Sequence, residues 1–163
     1  MSRLKILYYP NRKLKQKANL VSNIDYNINK TINDMFETMY FAKGIGLAAT
    51  QVNINKCIIV IDISKKHNQQ LILINPKIIK RIGRIVVEEG CLSIPNVSAP
   101  IIRSEKIILQ SLDCYGKLFE LQAESLLSVC IQHEIDHLNG LLFIDRLSLS
   151  KQNYIKNIID SNL

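Results

Sequence analysis

The chain has no apolar run of the roughly eighteen residues or more that a bilayer crossing takes, so no membrane span is expected. No apolar signal-peptide core follows the charged opening Met1-Ser2-Arg3-Leu4-Lys5, which points to a cytoplasmic protein. The four cysteines, Cys57, Cys91, Cys114 and Cys130, show no C-x-x-C spacing. Without a secretion signal they are expected to be reduced, which leaves a thiolate free to bind metal. Internal repeats, low-complexity linkers and composition breaks are absent, so residues 1–163 read as a single domain, long enough to bury a core. There is also no block of like charge. The net charge of +7 is scattered along the chain. That suits a generally basic soluble surface, or else attraction to an anionic partner such as ribosomal RNA.

What is present centres on Gln132-His133-Glu134-Ile135-Asp136-His137, inside the apolar run 126–142. Two imidazoles four residues apart lie on one helix face and can reach a single metal ion. The Glu beside the first ring can then act on a water at that ion, as in H-E-x-x-H hydrolases. Leu126, Val129 and Cys130 share the His133 face, so this helix is expected to be buried. Buried imidazoles need partners, and one ion would serve both. The alternative is a pair of core histidines, each bonded to backbone.

Two ligands do not complete a catalytic site, which usually takes three and keeps a position open. Cys91, in Glu89-Gly90-Cys91-Leu92-Ser93, is a candidate third ligand; a small buried core residue is the alternative. A second stretch, Gly44-Ile45-Gly46-Leu47-Ala48-Ala49-Thr50-Gln51, combines small residues that let a substrate backbone approach with an amide donor, Gln51. It does not suit a phosphate loop, because no Lys-Ser/Thr pair follows the glycines.

Several elements can be read along the chain. Asp25 should cap a helix running to about Ala42, with Ile28, Ile32, Met35, Phe36 and Met39 on one face. Strands are expected over 57–63, 71–74 (ended by Asn75-Pro76), 78–82, 84–89, 106–113 and 118–123. The segments around Gly83 suit a hairpin, and 90–100, with two prolines, reads as a loop. The motif helix should start near Glu124 and stop at Asn139-Gly140, with a last helix over 150–160. The fold class is α+β: antiparallel sheets packed around a central metal-binding helix, with an N-terminal and a C-terminal helix.

Taken together, G-x-G-L-A-A-x-Q at 44–51, E-G-C-L-S at 89–93 and Q-H-E-x-D-H at 132–137 closely resemble the three motifs of peptide deformylases. All three match without a mismatch and in the same order. The resemblance implies a metal hydrolase that removes the formyl group from the formyl-methionine of nascent chains. It implies one divalent ion on Cys91, His133 and His137, ferrous iron in the cell with zinc as a substitute. Glu134 would be the general acid/base. Gln51 and the Leu92 N–H would hold the formyl oxygen. Ile45 and Gly46 would pair with the substrate backbone, and Ile45, Leu126, Val129 and Cys130 would line the methionine pocket.

Two positions depart from many bacterial members, which carry an acid where Lys43 stands and an arginine where Ser98 stands. That bears on the cleft rim rather than on the chemistry. The last segment holds only Lys151 and Lys156 with Asp160, so ribosome docking is expected to be weak. No membrane contact and no specific DNA contact are expected. Two other functions compete. One is a metallopeptidase cutting internal bonds, disfavoured because no histidine follows His137 to serve as a downstream ligand. The other is a metal-stabilised RNA- or ribosome-binding module without catalysis, for which Glu134 and Gln51 would be superfluous.

Overall fold

The computed structural model describes residues 3–161; Met1 and Ser2 of the charged opening lie outside them. Helix α1 spans Tyr26–Phe41, and the Asp25 side chain accepts from the Ile28 N–H at its start. Seven strands follow in two antiparallel sheets. β1 (Gly46–Ala48), β2 (Ile58–Ile61), β3 (Leu71–Ile82), β6 (Lys106–Leu112) and β7 (Leu118–Glu124) form one sheet in that spatial order. β4 (Ile85–Cys91) and β5 (Ile94–Arg103) form the other. Helix α2 covers Ser125–Leu138 and α3 covers Leu149–Ser161.

Side-chain alternation in β2 shows how the layers arise. Ile59 and Ile61 face α2, joining Leu73, Ile107, Leu109, Ala123, Cys130 and Ile131 in one buried cluster. Ile58 and Val60 face the other way, onto Met35, Phe36 and Met39 of α1. The large sheet is therefore sandwiched between the two helices, and β2 is wholly buried on both faces. Each such aliphatic side chain contributes roughly 1.5–3 kcal/mol by leaving water. A third cluster joins Ile94 and Ile101 of β5 to Ile155 of α3 and to Phe143 and Ile144 in the turn before it.

Three expectations fail at turns and prolines. The segments 71–74 and 78–82 are one strand, β3, which runs through Asn75-Pro76 with register irregularities against β6. A bulge absorbs the proline's missing donor, which sequence alone reads as a break. The two sides of Gly83 do not form a hairpin. β3 pairs with β2 and β6, β4 pairs with β5, and Gly83, at φ 68°, turns the chain from one sheet to the other. Finally, 90–100 is mostly strand: Pro95 and Pro100 sit in β5, whose single partner is β4, so neither costs a ladder bond on its open side. Among the described residues no helix is long and apolar enough to cross a membrane.

Candidate metal centre and active cleft

Cys91 ends β4, and His133 and His137 lie one turn apart on α2. The Cys91 Sγ is 3.2 Å from His137 Nε2, which is 3.2 Å from His133 Nε2. All three donor atoms lie within 4.8 Å of one another, the one such group among the described residues. An ion about 2.0–2.3 Å from each donor would set neighbouring donors roughly 3.2–3.8 Å apart, so this set fits a divalent cation. The helix supplies two donors at fixed spacing, and the sheet brings the third from 42 residues upstream of His133.

The protonation of His133 follows from its neighbour. Its Nδ1 is 2.9 Å from Glu89 Oε2. Burial alone would raise the Glu89 pKa, but the Arg103 fork and the His133 ring outweigh it and hold the carboxyl at about 2. Such a group is ionised and can only accept, so Nδ1 carries the proton and Nε2 is free to ligate. Glu89 is itself gripped by Arg103, through Nε at 2.6 Å and NH2 at 2.8 Å. Arg103 NH1 reaches Asp136 Oδ2 at 2.6 Å, and Arg146 clasps the same carboxylate through two contacts of 2.6 Å. The chain Arg146–Asp136–Arg103–Glu89–His133 thus ties β4, β5, α2 and the segment after α2 to one ring. His137 is buried, and that burial holds its pKa well below the usual value.

Glu134 lies between these rings and the small residues of β1. Burial pushes its pKa up to about 7, against the pull of His133. Its Oε2 is buried with no protein partner among the described residues, an acceptor left for something in the cleft. A Cβ at Gly46 would lie 2.6 Å from Glu134 Oε1 and 2.7 Å from Cys130 Sγ, so only glycine lets β1 pass this close. Gln51 is fixed at both ends of its amide: Oε1 accepts from the Ala48 N–H at 2.9 Å, and Nε2 donates to Ser93 Oγ at 3.2 Å. The same Nε2 is 3.7 Å from Cys91 Sγ, which aims the donor at the metal cluster.

A cleft of about 390 Å³ opens over this group, lined by Ile45, Gly46, Gln51, Glu89, Leu92, Leu126, Val129, Cys130, His133 and Glu134, among others. Every candidate residue read from the sequence therefore meets at one place, His137 beneath it. Val129 and Cys130 are buried, whereas Ile45 (41%) and Leu126 (52%) remain exposed at the mouth. The edges of β1 and β4 that lack a partner strand flank the cleft. The Ile45 carbonyl already accepts from the Asp62 N–H inside the sheet at 2.9 Å. By strand alternation it is Gly46 that turns its backbone groups to the open edge. At the rim, Ser98 donates to Glu88 at 2.7 Å, and Lys43 lines the opposite wall.

Sequence reasoning gave no role to Glu89, Asp136, Ser93 or Arg103. For Glu89 a signal existed: it stands two residues before Cys91, on the same face of a strand. Asp136 is a second buried carboxylate on α2, two residues after Glu134. For Arg103 no local pattern points to the site.

The comparisons with known proteins agree with this geometry. The family model described as polypeptide deformylase matches residues 3–153. A peptide deformylase of Blochmanniella pennsylvanica is 58% identical over 148 residues, 91% of this chain and 86% of that protein. One from Chromobacterium violaceum is 48% identical over 156 residues, 96% of this chain and 93% of that protein. Among solved structures, the peptide deformylase of Legionella pneumophila superposes with a TM-score of 0.94 at 43% identity, covering 99% of this chain and 95% of that one. That of Ehrlichia chaffeensis in complex with actinonin gives 0.94 at 36% identity, covering 99% and 98%. Matched by the family model over residues 3–153 and by these relatives over nearly its whole length, the chain belongs to the polypeptide deformylase family, metal-dependent hydrolases that remove the formyl group from nascent peptides.

Proposed function

We propose that Cys91, His133 and His137 hold the divalent ion this deformylase needs, and that Glu134, Gln51 and the Leu92 N–H carry the chemistry on the formyl group. The observation that supports this most is the convergence of three donor atoms within 4.8 Å beside an unpartnered carboxylate oxygen. When bound, the ion acidifies water and polarises the carbonyl. Glu134 Oε2 takes the proton of the attacking water and returns it to the leaving amine nitrogen. Gln51 Nε2 and the Leu92 N–H donate to the formyl oxygen as it gains charge. Losing one such donor typically costs about 3 kcal/mol. Gly46 offers its backbone edge to the peptide, with Ile45 beside it. Leu126, Val129 and Cys130 enclose the methionine side chain and keep solvent from the reacting carbon.

Iron is the proposed ion in the cell and zinc a workable substitute, because two imidazoles and a thiolate suit both. The substrates are formylmethionyl nascent peptides, met in the cytoplasm, with residues 1–163 acting as one catalytic domain. Ribosome contact through α3 is proposed to be weak, since that helix carries only Lys151 and Lys156 as cations. The decisive experiment is formate release from a formyl-Met peptide by anaerobically prepared protein, with metal content measured on the same sample. One bound ion with turnover supports the assignment; one bound ion without formate release refutes it.

A further inference from the structure

On the side of α2 away from the formyl-binding cleft lies a larger one, about 880 Å³, between the β3–β4 turn, β5 and the start of α3. Arg81, Arg84, Arg103, Arg146 and Lys151 all line it, and no acidic residue does. Two of these five charges are answered from behind the wall: Arg103 by Glu89 and Asp136, Arg146 by Asp136. The other three are not. Arg81 donates only to the neutral amide of Gln132, at 3.0 Å. Arg84 and Lys151 make no ion pair among the described residues. Glu105 brings a carboxylate up to Gly83 at the turn, but it does not line the cleft and acts on Lys106.

Like charges held on one concave wall repel each other: desolvation, then Arg146 and Arg103, lower the Arg81 pKa, and the charge of Asp136 only partly opposes them. Arg81, Arg84 and Lys151 are exposed, so solvent screens part of that repulsion, and they stay free to meet an anion entering the cleft. A single carboxylate would leave two charges over. Guanidinium groups spaced around a concave wall match tetrahedral oxyanions, each taking paired N–H···O bonds. Ser104 and Ser148 add hydroxyl donors to the same wall. We infer that this cleft binds a ligand carrying two or more adjacent phosphate groups, through Arg81, Arg84 and Lys151. Such groups occur on a free nucleoside triphosphate and, as successive phosphodiesters, on an RNA strand. The inference does not depend on the residue roles proposed above.

The test is a calorimetric titration of inorganic tripolyphosphate into the metal-loaded protein at about 0.1 M ionic strength. It is run on the parent protein, on the Arg84→Ala/Lys151→Ala double variant, and on Lys66→Ala/Lys117→Ala, two exposed lysines outside the cleft, as a charge-matched control. Any chelation of the metal is the same in all three, so the difference between them reports the cleft. The expected result is binding weakened about tenfold or more in the double variant, unchanged in the control, with formate release the same throughout. Equal binding by parent and double variant, or none by the parent, overturns the inference. Two further arms name the source. Competition by a nucleoside triphosphate identifies a free ligand. Binding of a short single strand of RNA that needs Arg84 and Lys151, without such competition, identifies a phosphodiester backbone. RNA binding that ignores both residues counts against the cleft.

Discussion

At the scale of single residues, the site depends on one missing side chain and one buried carboxylate. Gly46 leaves room for Glu134 and Cys130, both of them buried and unable to retreat far. Gly46→Ala is therefore expected to push the Glu134 carboxylate aside. Formate release should fall at least tenfold, with a stability loss of about 1–3 kcal/mol. Activity within a factor of two or so of the parent would show that the strands can simply part. Glu134→Ala should leave the metal stoichiometry at one and remove turnover, read by metal analysis alongside formate release. Glu89 carries a pH signature. Its pKa falls from an ordinary 4.5 to about 2 on folding, so its ion pairs stabilise the protein above pH 4.5. That contribution, about 3 kcal/mol, drains away as the pH drops toward 2. Urea midpoints of the parent should fall across that range, while those of Glu89→Gln should start low and change less.

Among the elements, α2 needs a firm stop as much as a face that carries His133 and His137. Gly140, at φ 73°, reverses the chain where an added Cβ would collide with the Lys15 carbonyl. Lys15 also pairs with Asp145, and the Ala18 N–H bonds to the Leu138 carbonyl at 2.8 Å, so the turn before α1 is laced to the end of α2. Gly140→Ala combines backbone strain with a backbone clash and should cost more than about 2 kcal/mol in urea unfolding. A loss under about half of that would mean the junction yields. The boundaries of α1, α2 and α3 were readable because caps and apolar faces are local signals. The bulge at Pro76 and the strand at 94–103 were not, because whether a proline is tolerated depends on whether its open side faces a partner strand.

Across the whole molecule, the two sheets and α2 are joined by charges as well as by apolar packing. Arg103 on β5 binds Glu89 on β4 and Asp136 on α2, and all three are buried. Arg103→Met would leave two buried carboxylates facing one another. A loss of about 3–5 kcal/mol is expected in thermal or urea unfolding, together with weaker metal retention measured by chelator competition.

By itself the sequence determined which atoms can bind the ion: His133 and His137 are one helical turn apart on any α-helix, and the three motifs name the third donor. It also determined that α2 would be buried, because Leu126, Val129, Cys130 and His133 recur with helical period. Only the tertiary structure decided that Cys91 meets those rings, that Glu89 sets the proton on His133, and that Arg103 holds Glu89. Those contacts join residues 14 to 46 positions apart on different elements. No local periodicity encodes the partner of a buried charge. The packing of one sheet against another brings it there.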